Sequence, residues 1–157
     1  MKFSSEEMES MIAKCLRKAK INEFPVDLFK IAKHSKITMV PYSDEKGKEM
    51  AEIIGAAYLM PWTDGFIVHV EEMYIIFWDD LLPLERQRTT IAHELGHFFL
   101  GHVGWNKNEE LKEDQASLFA FHWLSGDSLL TISASFMPRI HCIPAMRFFP
   151  FHSISEC

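Results

Sequence analysis

His93-Glu94-Leu95-Gly96-His97 holds the side chains in this sequence best suited to chemistry. On a helix, residues four apart share a face, so both imidazoles can reach one metal ion. Zinc accepts such nitrogens at ~2.0–2.1 Å. Glu94, the next residue round the helix, then sits close to the metal but off the ligand line. A carboxylate there suits a general base acting on the water that a metal activates, as in metal-assisted peptide hydrolysis. The same group can later deliver the proton to the leaving amine. A short pattern of this kind also arises on exposed helices with two histidines and a solvated glutamate. The neighbours argue otherwise: Ile91, Ala92, Leu95, Phe98, Phe99 and Leu100 make the helix apolar on nearly all sides. Such a helix is buried, and a buried His-Glu-His set needs partners, of which a metal is the most economical.

A catalytic zinc site takes three protein ligands and leaves one position open. Position 103 is Val, so the histidine string does not extend to a third His downstream. The next helix offers Glu109, Glu110, Glu113 and Asp114. Helical phase separates them. Glu113 shares a stripe with Ala116 and Ala120, whose small side chains let this helix approach the histidine helix closely. Asp114 lines up instead with Leu118 and Phe121. Glu113 is the favoured third ligand and Asp114 the alternative, while the rest of the acidic first turn reads as solvated and matched to the helix dipole. His102 reads as an imidazole stabilised by the dipole at a helix C-terminus. His34, His69, His141 and His152 follow no ligand spacing, and His122 is a secondary candidate for lining the cleft. Neither a Gly-x-Ser-x-Gly elbow nor a phosphate-binding glycine loop is present.

Periodicity predicts the elements that position these residues. Residues 5–20 read as a helix capped by Ser4 or Ser5, with Met8, Met11, Ile12, Cys15, Leu16 and Ala19 as its stripe. Residues 26–35 read as a short helix opened by Pro25. Residues 37–40 are β-like, 44–49 a charged loop, and 53–60 strand-like. Residues 61–65 signal a turn, with Asp64-Gly65 a favoured hairpin pair. Residues 66–70 and 73–78 are further strands, rich in β-branched and aromatic side chains. The histidine helix then spans 84–100, ended by Gly101 and Gly104, and residues 105–108 form a polar loop before a helix over 109–124. Prolines 138, 144 and 150 break up an irregular tail over 127–157. The expected organisation is one domain over 1–157 with its core at about 5–126.

The totals limit the function classes. A chain of 157 residues suits one core. A net charge of −6 argues against direct nucleic-acid binding. The basic cluster Lys14, Arg17, Lys18 and Lys20 reads as a solvated helix face. Cys15, Cys142 and Cys157 are widely spaced and give neither a disulfide framework nor a zinc knuckle. The start of the chain lacks an apolar signal region, and no stretch approaches the ~18 apolar residues of a membrane span. A cytoplasmic protein with no membrane association is expected.

Two strings carry a family resemblance. The first runs from Arg88 through Thr89-Thr90-Ile91-Ala92-His93-Glu94-Leu95-Gly96-His97 to Phe98-Phe99-Leu100. The second is Glu113-Asp114-Gln115-Ala116-Ser117-Leu118-Phe119-Ala120. Together they resemble the ImmA/IrrE metallo-endopeptidases, in which an IAHELGH-type helix precedes an E-x-x-A-x-x-F-A helix. The segments Pro25-Val26-Asp27-Leu28-Phe29-Lys30-Ile31-Ala32 and Ile75-Ile76-Phe77-Trp78-Asp79 are similar to the family as well, so the resemblance covers about residues 21–130. After Ala120 the sequence reads Phe-His-Trp-Leu-Ser-Gly where the family usually continues with a Leu-Leu-Met-Pro-like segment. The resemblance implies an α+β, zincin-like single domain, with a small, mostly antiparallel sheet packed on helices that include the HExxH helix. It implies Zn²⁺ held by His93, His97 and Glu113, with Glu94 as the base, although Mn or Fe would also suit two His and a carboxylate. It further implies cleavage of a helix-turn-helix repressor, relieving repression of mobile-element or stress genes. The competing reading is a metal-stabilised binding module that inactivates a repressor or antitoxin without cutting it. A structural zinc site ranks lower, since it favours four Cys/His ligands.

Overall fold

The computed structural model describes residues 3–23, 25–103 and 109–125. The expected loop over 105–108 and the tail over 127–157 lie outside the described residues. Helix α1, Ser5–Ala19, opens with a capping box: Glu7 N–H donates to Ser4 Oγ, and Ser4 N–H donates to Glu7 Oε2 at 2.7 Å. Its buried residues, Met8, Ile12 and Ala19, follow the predicted stripe. Helix α2, Leu28–His34, begins two residues later than the sequence indicates, because Asp27 rather than Pro25 caps it by accepting from Lys30 N–H.

Three strands form one sheet: β1, Ile37–Pro41; β2, Gly65–Val70; and β3, Met73–Trp78. The spatial order is β1-β3-β2. β3 pairs with β2 antiparallel and with β1 parallel. The α+β architecture is as read, but the sheet is mixed rather than mostly antiparallel. The chain leaves β1 along one edge and returns to the far edge as β2, so β1 and β3 run the same way.

Two expectations in that crossover are corrected. Residues 44–49 are not a loop but the start of helix α3, Glu45–Ile53. Gly47 lies inside it because a Cβ there would collide with Val40. Residues 53–60 are not a strand. They comprise the end of α3, a left-handed Gly55 (φ 69°), and a 3₁₀ turn over Ala57–Leu59. Gly55 N–H bonds to Glu52 O and Ala56 N–H to Ala51 O, the doubled bond of a Schellman stop. A continuous apolar run cannot itself distinguish strand from helix end.

Asp64-Gly65 is also not the hairpin turn. The β2–β3 turn is Glu71-Glu72, with Glu71 at φ 54°. Asp64 instead forms an ion pair with Arg86, and Gly65 is the closest approach of β2 to the next helix. A Cβ at Gly65 would lie 2.6 Å from Thr90 Cγ2 and 2.8 Å from Phe77 O.

Helices α4, Leu84–Phe99, and α5, Glu109–Ser125, complete the fold and match the sequence reading closely. A large core joins α1, α2, α4, α5 and one face of the sheet. A smaller one lies between the other face and α3. Among the described residues, no helix is long and apolar enough to cross a membrane.

Candidate metal centre

The start of α4 is clamped before it reaches the histidines. Arg86 grips Asp64 with two donors, Nη2 to Oδ1 at 3.0 Å and Nε to Oδ2. Gln87 Nε2 donates to the carbonyls of Asp80 and Leu82, while its Oε1 accepts from Trp78 Nε1. These bonds fix α4 against β2 and β3. Its other end stops in a second Schellman arrangement around Gly101 (φ 69°), with Gly101 N–H on Phe98 O and His102 N–H on His97 O.

Gly96 and Ala116 set the distance between α4 and α5. A Cβ on Gly96 would stand 3.0 Å from Ala116 O and 3.2 Å from Ala116 Cα. The close approach carries Glu113 to the histidine pair. His93 Nε2 and His97 Nε2 are 2.9 Å apart. Glu113 Oε2 lies 3.2 Å from His93 Nε2, and its Oε1 lies 3.0 Å from His97 Nε2. One ligand atom from each residue falls within a 4.8 Å cluster. In a tetrahedron with ~2.0–2.1 Å bonds, ligand atoms are separated by about 3.3–3.4 Å. The observed spacing is slightly contracted from that, and the donor set of two imidazole nitrogens and a carboxylate is one zinc accepts. The three residues therefore fit the metal.

Of the acidic candidates on α5, Glu113 is the one in this cluster, while Asp114 and Glu110 are exposed. Glu94 is 3 % exposed. Burial pushes its carboxyl up to about 7, against the pull of His97, with the Glu113 charge adding to the rise and an N–H from Ile67 opposing it.

That contact lies on the outer edge of β2, which pairs with no further strand among the described residues. Asp79 N–H bonds to Asp64 O, and the antiparallel register then puts Phe66 and Val68 in hydrogen-bonded pairs with β3. The backbone groups of Gly65, Ile67 and His69 point the other way, along the outer edge, where the Ile67 N–H meets Glu94.

The remaining histidines separate cleanly. His102 packs its ring 5.4 Å from that of His97, and burial lowers its pKa to about 4, with His97 and Lys112 adding to the fall. It is thus neutral rather than a charged partner of the helix dipole. His122 faces away from the centre, with Nδ1 3.4 Å from Glu9 of α1, so it does not line the cleft. His69 stacks on Tyr74 at 4.2 Å and His34 is exposed. His141 and His152 lie outside the described residues.

Sequence reasoning missed three contributors. Ser117 Oγ lies 3.3 Å from His93 Nδ1. It stands four residues after Glu113, a spacing that could have revealed it. Gly96 was readable as a small residue in the middle of a helix facing two alanines. The Ile67 N–H has no signal in the sequence, because it depends on strand register.

Residues 62–131 match the M78 peptidase family, described as the IrrE N-terminal-like domain. No curated protein and no solved structure matches the chain. A peptidase-family match over the very segment that builds the cluster of His93, His97 and Glu113 supports a metallopeptidase-type function. From the turn before β2 through α5, the match thus supports this chain's place in the ImmA/IrrE family.

Proposed function

We propose that this chain is a cytoplasmic, zinc-dependent endopeptidase of the HExxH type whose substrate is a helix-turn-helix transcriptional repressor. The observation that carries the reading is the position of Glu94. It is buried one helical step from His93 and is raised to about 7, between the three-residue cluster and the outer edge of β2. A pure binding module has no use for that carboxylate.

A zinc ion held by His93, His97 and Glu113 would supply Lewis acidity, polarising the scissile carbonyl and acidifying the attacking water. The edge of β2 that is unpaired among the described residues would hold an extended substrate by strand addition, through the backbone groups of Gly65 and His69 and the Ile67 carbonyl. Glu94 takes the proton from water as the new C–O bond forms. It returns that proton to the amine nitrogen as the C–N bond breaks. A carboxyl one helical step from the ligand His93 is within reach of both transfers. The repressor is supported by the ImmA/IrrE resemblance and by a net charge of −6, which suits acting on a regulator rather than on DNA.

The test is metal analysis joined to cleavage. Purified protein should carry about one zinc per chain, and His93→Ala or Glu113→Ala should lose it. Glu94→Gln should keep the metal and lower cleavage of a helix-turn-helix repressor substrate by roughly 10²–10⁴-fold. Undiminished cleavage by Glu94→Gln would sink the mechanism. Tight repressor binding by wild type without cutting would favour the binding-module reading, and stoichiometric Mn or Fe would replace zinc in it.

A further inference from the structure

We infer that Ser117 is a positioning residue for the metal centre, holding His93 through a neutral hydroxyl. The inference rests on the metal reading of the cluster, not on proteolysis. His93 is 2 % exposed, so both ring nitrogens need partners inside the protein. Its Nε2 faces His97 and Glu113, and its Nδ1 faces Ser117 Oγ at 3.3 Å. A neutral imidazole ligating through Nε2 must carry its proton on Nδ1. That proton is donated to Ser117 Oγ, which fixes both the tautomer and the ring plane.

The placement follows from helix geometry. Ser117 lies one turn beyond Glu113 on α5, so a single turn supplies a ligand from one end and the orienting group for a second ligand from the other. Ser117 is also only partly exposed, beside buried Ala116. A hydroxyl there suits the charge balance. The cluster already contains the Glu113 carboxyl, and an orienting carboxyl would put a further acidic group beside it in a largely buried site. A hydroxyl orients the ring without adding one.

Zinc affinity of the full chain, measured by competition with a chromophoric chelator, tests this. Ser117→Ala should weaken zinc binding by about 10–100-fold, as loss of an orienting partner to a metal-bound histidine does, while Ser117→Thr stays within about threefold of wild type. Ser117→Val has the shape of Thr without the hydroxyl, and it should behave like Ala even if Ala disturbs packing. In the zinc-loaded protein, the His93 Nδ1 proton should give a protected imidazole ¹⁵N–¹H signal in wild type and Thr, and exchange rapidly in Ala and Val. Equal affinity and equal proton protection in the Thr and Val variants would overturn the inference. Wild type that binds no metal would overturn the site reading as well. Metal binding by wild type that is indifferent to the hydroxyl overturns this inference alone.

Discussion

Phe66, Val68, Ile75 and Phe77 turn one face of the sheet toward α3, while Ile67, Ile76 and Trp78 turn the other toward α4 and its neighbours. The two sides use the same three strands for different ends. The α3 side is closed by Val40, Ala51, Ala56 and Leu59. On the other side, five of the six buried polar residues among those described, Thr90, His93, Glu94, His97 and Gln115, lie on α4 and α5. Burying such groups costs free energy unless each finds a partner. The comparison indicates a division of labour: an apolar back that sets rigidity, and a front whose polar groups are tolerated because the back and the α4–α5 crossing hold them in place.

The largest effect should come from breaking the back alone. Phe77 is fully buried and stacks on Phe66 at a ring distance of 5.0 Å. Phe77→Ala should cost about 3–5 kcal/mol of stability, the usual range for an emptied aromatic site. The His93–His97–Glu113 cluster draws nothing from that face, so zinc affinity at temperatures where the variant is folded should match wild type. Denaturant melts and chelator competition measure the two separately. Equal losses in both would show that the faces are coupled rather than divided.

A somewhat smaller effect should appear in the metal-free protein as pH changes. The folded Glu94 carboxyl is raised from 4.5 to about 7. Between those values the folded state binds more protons than the unfolded one, so stability falls as pH rises through that window. The swing for one such group is on the order of 3 kcal/mol. Metal-free Glu94→Gln should show a flatter stability–pH curve from about pH 4.5 to 7, judged by urea midpoints at fixed salt. Identical slopes in the two proteins would mean that Glu94 is not desolvated in the metal-free state.

The two faces also differ in how well the sequence declared them. On the front, α4 and α5 carry long helical periods, and phase alone separated Glu113 from Asp114. There, one local rule settles each question. On the back, α3 contains a glycine and a run of charges that read as a loop, and its helicity is decided by packing against Val40. The run over 53–60 is apolar in every phase, so tertiary contacts decide its form. Asp64-Gly65 looked like a turn, but the clasp with Arg86 and the need for space beside Thr90 claim it instead. Partners of that kind lie far along the chain and have no local signature. The same is true of the Ile67 N–H, which is fixed by register.

The smallest effect is the most discriminating, because it acts at the α4–α5 crossing that holds the front together. Gly96→Ala removes a helix-interior glycine, which by propensity alone gains up to about 1 kcal/mol. The new Cβ would meet Ala116 O at 3.0 Å, Ala116 Cα at 3.2 Å and Phe119 Cβ at 3.4 Å. Two of these three atoms are backbone, which yields only if α5 moves as a body. Overpacking of that kind costs about 1–3 kcal/mol, so the net change should be a destabilisation of roughly 1 kcal/mol. Moving α5 also carries Glu113 away from His93 and His97, while Glu94, on α4, stays with the histidines. Zinc affinity should therefore fall by about tenfold, the equivalent of ~1.4 kcal/mol and more than the melt alone would suggest. A stabilised Gly96→Ala that binds zinc as tightly as wild type would show that the crossing has slack, and that Glu113 is placed by its own helix rather than by the contact between the two.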